Sequence, residues 1–337
     1  MPAHHRAGTA HHLEGENPMT SGTATNLEST IDRPRLLRMG RRPTGRLREA
    51  LASQAFLIPI VLVFVILIGV PFARSVYYSF TDWSGLNPII KFVGFDNYVR
   101  VFTDPSLLSG LSFTIVFALA TTILITALAI PLAVVLNQSF FGKRFVRAMY
   151  FFPAIPSVAI LGLVWNFILN PLGSGALNAV LNSLFGVAPI PWLANATLAQ
   201  ISVILVGVWT STGWHAILYL AYLQSIPTDY YEVARIDGAN ARQSFMNITL
   251  PLLTPAITIS TVLLMIGGLN VYALPETLTG GGPGDATYTI TKTIITSGIG
   301  QAKYGQASAL GVVFMIAVGI VVIVQLRLTR GFEKRTS

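Results

Sequence analysis

The sequence predicts an all-α membrane protein with six transmembrane helices, and two observations carry that prediction. Hydrophobic residues make up 53% of the chain and charged residues only 11%, whereas soluble domains carry about 25% charged residues. A helix needs about 20 apolar residues to cross a bilayer. The stretches that meet this requirement are 51–76, 110–136, 147–169, 197–222, 252–273 and 304–328. We therefore expect one membrane domain over residues 51–335.

Residues 1–50 differ from the rest of the chain, because they are rich in His, Gly, Thr, Glu and Arg and contain no long apolar run. This composition predicts a disordered, basic N-terminal tail. Four of the five histidines lie in it, at His4, His5, His11 and His12. A floppy tail lacks the fixed geometry of a metal site, so we predict no metal centre. The first apolar run is too long for a cleavable signal peptide and should remain as an anchor.

Basic residues are concentrated in the segments that six spans would place on one side of the membrane. These segments are the tail, residues 143–147, residues 235–242 and the chain end from Arg327. Loops rich in Lys and Arg stay in the cytoplasm. Both termini are therefore predicted to be cytoplasmic, and loops 77–109, 170–196 and 274–303 external. Residues 175–185 have one apolar helical face and form either a surface helix or a plain connection.

A polar segment, residues 226–251, separates the fourth and fifth apolar stretches; we call it the coupling segment. Its first half predicts a short helix that begins near Thr228 or Asp229. Gly238 supplies a turn that other residues resist. The pattern then predicts a second short helix from Asn240 to Leu250, interrupted by Pro251.

The coupling segment resembles the EAA motif of bacterial ABC importer permeases, especially the maltose-type carbohydrate importers. The order L-x-S-I-P-x-x-Y-Y-E-x-A-x-I-D-G-A is followed by Phe245 and by I-T-L-P-L-L-x-P. Valine stands at the second position of the triplet, where the family more often has alanine. The resemblance implies that this segment is a cytoplasmic coupling helix that docks on an ATPase. The residues implied in coupling are Glu232, Val233, Ala234, Asp237, Gly238, Ala239, Leu250 and Pro251.

A second stretch, L-P-E-T-L-T-G-G-G-P-G-D-A-T from Leu274, is similar to a segment of the same permeases, and Y-G-Q-A-S-A follows at Tyr304. A phosphate-binding Walker loop needs a Gly-Lys-Ser/Thr ending, which these glycines lack. Instead, the resemblance implies an external turn that a binding protein contacts, made of Gly280, Gly281, Gly282 and Pro283.

These segments, together with the G-x-x-N pattern at Gly175 and Asn178, extend the resemblance over residues 51–335. It implies the type I ABC importer permease fold in a bacterial cytoplasmic membrane. The implied partners are a second permease, two cytoplasmic ATPase subunits and an extracytoplasmic solute-binding protein. ATP and Mg would bind the ATPase partner, so this chain is expected to carry no cofactor, to be no enzyme and to bind no nucleic acid.

The interiors of the predicted spans contain no Lys, Arg, Asp or Glu, although charged groups within a bilayer usually mark function. Amides and aromatic rings are available instead, and they suit a neutral sugar. The candidate pathway residues are Asn166, Trp209, Trp214, His215, Tyr219, Asn270 and Tyr272. Each of them can also serve in helix packing, and His215 can be a neutral packing residue or a proton relay.

Other functions are less well supported by the sequence. A permease for glycerol phosphate or another polar solute stays open, if the partner permease supplies the positive charge. An ion-coupled secondary transporter should show intramembrane carboxylates, and an intramembrane enzyme needs a nucleophile with a base or paired acids. Neither set is present in the predicted spans.

Overall fold

The computed structural model describes residues 57–172 and 175–336, which are almost entirely helical. The N-terminal tail predicted over residues 1–50 lies outside the described residues. The chain divides into two units after Ile60, and the described part of the first unit is the start of the first helix. Within the described residues, the only extended pairing is an isolated bridge between Thr81 and Phe92.

The helices are numbered in chain order. The first six are α1 (Leu57–Tyr78), α2 (Asp96–Thr103), α3 (Pro105–Asn137), α4 (Lys143–Phe151), α5 (Val158–Ile168) and α6 (Ala176–Phe185). The remaining helices are α7 (Ala196–Leu223), α8 (Asp229–Ile236), α9 (Ala241–Leu269), α10 (Ala273–Thr279), α11 (Ile290–Ile295) and α12 (Tyr304–Thr336). A helix is present within the predicted residues 175–185, as α6, whereas its position on the membrane surface stays a prediction.

Five of these helices, α1, α3, α7, α9 and α12, are long and apolar enough to cross a bilayer. The third predicted span is not one straight helix, because α4 and α5 are bent by 91° at a short break. Pro153 lies in a 3₁₀ turn after α4, and Pro156 precedes Ser157, whose backbone is extended. Each proline removes a backbone donor and crowds the preceding turn. The helix therefore breaks here, although the apolar pattern continues through the break.

The first helix is longer at its C-terminal end than the sequence predicted. It runs to Tyr78, two residues beyond the predicted end, and Arg74, which the predicted span also included, lies four positions before that end. A long basic side chain at such a position can reach the membrane surface. Phe64, Leu67 and Ile68 are exposed on this helix, as is expected where lipid or another apolar chain is the surrounding medium.

The core lies where α3, α7 and α9 pack together. Phe113, Ile125, Tyr219 and Leu253 are fully or almost fully buried there. Small residues allow close approach of the helices, as is common in membranes. At Gly213 on α7, a Cβ atom would stand only 1.8 Å from a backbone oxygen of α4. Replacing this glycine would therefore separate α4 from α7.

Candidate functional site

The coupling segment is built of α8, a tight turn and the start of α9. Gly238 has φ of +79° and ends α8, so the turn predicted from the sequence is confirmed. Asn240 then caps α9 reciprocally with Gln243. The Gln243 N–H donates to the Asn240 side chain at 2.9 Å, and the Asn240 N–H donates to the Gln243 side chain at 2.8 Å. This capping box fixes where the chain re-enters a helix.

The predicted interruption at Pro251 is wrong, because α9 continues from the turn to Leu269. Residues Phe245–Thr249 form a π-helical turn, in which the Leu250 N–H bonds to the Phe245 oxygen. The wider turn just before Pro251 accommodates a residue that cannot donate a backbone hydrogen bond. The Tyr231 hydroxyl of α8 also bonds to Thr249 at 3.1 Å. The coupling segment is thus continuous with a membrane-spanning helix.

One face of α8 is apolar and has no partner within the described chain. Tyr230, Val233 and Ile236 are 53%, 57% and 84% exposed, and their spacing places them on one side of the helix. Among the other residues implied in coupling, Glu232, Asp237 and Gly238 are exposed, and Ala234, Ala239, Leu250 and Pro251 are half-buried. This apolar face is therefore free to contact a partner.

A cavity of about 500 Å³ lies between α3, α7, α9 and the start of α10. Its lining includes His215, Asn270 and Tyr272, so the structure brings together three of the seven predicted pathway residues. The Nδ1 atom of His215 is 2.7 Å from the Ser260 hydroxyl. Asn270 donates to the Ile266 oxygen at 2.8 Å. Asn270 and Tyr272 belong to the break between α9 and α10, as their position in the sequence suggested.

The other four candidate pathway residues lie outside this lining. Asn166 donates to the Leu278 oxygen at 2.7 Å and thereby ties α5 to α10. Trp209 is 42% exposed and packs edge-on against Trp165. Trp214 is equally exposed and contacts the His215 ring, and Tyr219 is fully buried in the core. The described contacts of these four residues are packing contacts, which is the second role that the sequence left open for each of them.

Sequence reasoning missed three hydroxyl residues of the cavity, Thr121, Thr210 and Ser211. Thr121 and Thr210 bond to backbone oxygens of their own helices. Ser211 and His215 are four residues apart on α7, a spacing that places them on one face. That spacing was available in the sequence, but only the position of α3 shows which face is lined.

The glycine-rich turn after α10 is fixed in place by Lys292 of α11. Its Nζ lies 2.5 Å from the Glu276 carboxylate and 2.5 Å from the Gly280 oxygen. It is also 5.1 Å from the centre of the Tyr288 ring. Gly280 and Gly281 have φ of +62° and +88°, which explains the need for glycine, and Gly282 and Pro283 continue the turn.

The Y-G-Q segment at the start of α12 has a packing role. The Gly305 N–H donates to the Trp83 oxygen at 2.9 Å, and a Cβ atom at this glycine would stand 2.1 Å from the Thr81 oxygen. Tyr304 packs against the Trp83 ring. Gly175 likewise approaches Asn170 closely. These motif residues hold the loops at residues 81–83 and at Asn170 close to Tyr304, Gly305 and Gly175.

No cluster of three or more His, Cys, Asp or Glu that could hold a metal occurs within residues 57–172 and 175–336. The cavity lining contains no Lys, Arg, Asp or Glu. The site therefore offers aromatic, amide and hydroxyl groups around a chamber between helices, and a separate apolar face at one end of those helices.

Comparison with known proteins supplies an independent result. Residues 125–337 match the family described as binding-protein-dependent transport system inner membrane component. The multiple sugar-binding transport system permease protein MsmF of Streptococcus mutans is 34% identical over 279 residues, 82% of this chain and 95% of that protein. The diacetylchitobiose uptake system permease protein NgcF of Streptomyces coelicolor is 30% identical over 331 residues, 92% of this chain and 93% of that protein.

A solved structure shares the fold. It is a chain of a bacterial ABC transporter involved in the import of the acidic polysaccharide alginate, with a TM-score of 0.74 and 23% identity. The match covers 85% of this chain and 98% of that chain. The expected type I importer permease fold is thereby confirmed.

Proposed function

The chain belongs to the family of binding-protein-dependent transport system inner membrane components, and we propose that it forms the translocation pathway of an ATP-driven importer for a neutral sugar or oligosaccharide. The observation that carries the proposal is the continuity of the coupling segment with α9. The exposed face of α8 is available to a partner, while α9 extends directly to the cavity.

The mechanism follows from that continuity. ATP binding closes the dimer of partner ATPases, and α8 moves with the ATPase surface that contacts Tyr230, Val233 and Ile236. The Tyr231–Thr249 hydrogen bond and the unbroken helix pass this movement to α9. Because Asn270 and Tyr272 follow the far end of α9, the same movement changes the side of the membrane from which the substrate can enter the cavity. The cavity opens alternately to the two sides, and this chain performs no covalent chemistry.

The chemistry of the cavity supports a neutral, polyhydroxylated substrate. Its volume of about 500 Å³ is within the usual range for small-molecule sites, about 300–1,000 Å³. The Tyr272 ring can stack on a sugar ring, and Asn270, Thr210 and Ser211 carry hydrogen-bonding groups. No charged side chain lines the cavity to balance a phosphate or carboxylate. The relatives named for sugars and for diacetylchitobiose agree with this substrate class.

The proposed assembly contains a second permease, two ATPase subunits that carry ATP and Mg, and an extracytoplasmic solute-binding protein. The turn Gly280–Pro283 is proposed to contact the binding protein, because Lys292 bonds to its Gly280 oxygen and the turn follows the end of α9 that is remote from α8. The chain would lie in the bacterial cytoplasmic membrane with both termini in the cytoplasm, since the loops near α4 and α8 carry the basic residues.

The docking role of α8 can be tested with one apolar residue and a matched control. Ile236 and Ile89 are 84% and 67% exposed, and Ile89 lies in the outer loop. Ile236→Asp would place a charge in an apolar contact. It should therefore abolish co-purification of the ATPase and sugar uptake, whereas Ile89→Asp should leave the ATPase bound. Equal retention of the ATPase by both variants would contradict the proposed docking surface.

A further inference from the structure

We propose that the hollow beneath the coupling segment binds the phosphate headgroup of an anionic phospholipid. The hollow has a volume of about 600 Å³ and lies on the opposite face of α8 from the docking face. This inference rests on the proposed function only for the orientation of the chain. The site is distinct from the cavity, and of the residues implied in coupling it shares Ala239.

The hollow lies at the level where the spans end. It is lined by the last turns of α3 and α7, by α8 and by the first turns of α9. Val134, Leu223 and Phe245 supply apolar surface, while Gln138 and Tyr231 supply polar groups. A phospholipid has the same division, with acyl chains in the bilayer and a charged group at its edge. Both parts of the lining therefore have a counterpart in one lipid molecule.

Arg235 is the cation of the hollow. It follows Tyr231 by one helical turn, so both side chains lie on the inner face of α8. Within the described residues, Arg235 forms no ion pair, and the lining of the hollow contains no Asp or Glu. An unpaired guanidinium can bind phosphate oxygens with two parallel hydrogen bonds. The charge of the hollow thus selects an anion.

Two more cations, both on α4, bond to the last turn of α3, where Asn137 and the following Gln138 line the hollow. Lys143 donates to the Asn137 oxygen at 3.3 Å, and Arg147 donates through Nη2 to the Leu136 oxygen at 2.9 Å. The Nε atom of Arg147 is buried without a hydrogen-bond partner in the described chain. Basic pockets between membrane helices on the cytoplasmic side are typical sites for anionic headgroups. The apolar wall favours a lipid over a free phosphate ion.

The test measures lipid retention by the assembled importer, without sugar or ATP. The complex is placed in phosphatidylcholine nanodiscs that contain a minor fraction of phosphatidylglycerol, and bound phosphatidylglycerol is counted by native mass spectrometry. One Lys or Arg near an anionic headgroup contributes about 1 kcal/mol, so Arg235→Gln should lower phosphatidylglycerol occupancy about fivefold. Arg242→Gln is the matched control, because Arg242 is exposed in the first turn of α9 and does not line the hollow.

A second variant keeps the test independent of Arg235. Gln138→Ala changes an exposed residue of the lining and should lower occupancy in the same direction, by a smaller factor. Equal losses in Arg235→Gln and Arg242→Gln would assign the effect to general surface charge and overturn the site. Displacement of phosphatidylglycerol by inorganic phosphate would overturn the lipid assignment. Failure of sugar transport would leave these lipid measurements unaffected, so the two proposals fail separately.

Discussion

The turn at Gly238 offers the sharpest test of the coupling segment, because the expected cost there is purely conformational. Its φ is +79°, and no atom lies within 4 Å of the position that a Cβ would occupy. A valine would therefore meet no steric clash with a neighbour. It would instead carry the backbone strain of the left-handed region, about 1–2 kcal/mol for a residue with a side chain.

That strain can be relieved only if α8 turns away from α9. If docking requires the observed angle, Gly238→Val should weaken binding of the ATPase by about five- to thirtyfold, the equivalent of 1–2 kcal/mol. Gly238→Asn should lose less, because asparagine tolerates the left-handed region better than valine. Binding of purified ATPase to the permease pair in nanodiscs measures the effect directly.

Gly142 provides a matched control for the same strain. It has φ of +79° and open space around it, and it precedes α4. Gly142→Val should lower thermal stability by a similar amount without weakening ATPase binding. If Gly238→Val bound the ATPase normally, or if both variants lost binding equally, the geometry of this turn would have no specific role in coupling.

Three further outcomes are expected. The chain has no cysteine, so a single cysteine at Asp285 should react with an impermeant thiol reagent in intact cells, and one at Asn240 should not. Labelling at Asn240 would contradict the predicted orientation. Tyr272→Ala should lower uptake at limiting sugar about two- to tenfold, which corresponds to the loss of one aromatic contact of about 0.5–1.5 kcal/mol. Binding of the ATPase should stay normal. Unchanged uptake would mean that Tyr272 serves only in packing. Gly213→Ala should lower the unfolding temperature, because overpacking costs about 1–3 kcal/mol. Gly319→Ala should not lower it, because Gly319 lies in open space. Equal unfolding temperatures for the two variants would refute the close contact at Gly213.

The coupling segment shows how far local patterns reach. The helix over residues 229–236 and the stop at Gly238 were predictable, because start signals and a glycine turn are determined by neighbouring residues. The effect of Pro251 was not. A proline in sequence predicts a break, but the π-helical turn over Phe245–Thr249 accommodates it. That turn is held partly by the contact between Tyr231 and Thr249, which are distant in sequence.

For the cavity, the sequence could not tell which span residues line it. The sequence indicated polar and aromatic residues in the spans, and Asn270 and Tyr272 were correctly placed at the end of α9. It did not distinguish His215, which lines the cavity, from Tyr219, one turn away and buried in the core. Both are amphipathic residues in an apolar helix, so periodicity treats them alike.

Composition and span length alone established a membrane protein of long apolar helices, because a bilayer requires about 20 apolar residues in each span. The motif residues around Glu232 and Gly280 indicated the family. Tertiary structure decided which faces remain free, that α4 and α5 bend by 91°, and which side chains surround the cavity. These properties depend on how α3, α7 and α9 approach one another. Such contacts join residues far apart in the chain, and the local pattern of a single sequence does not encode them.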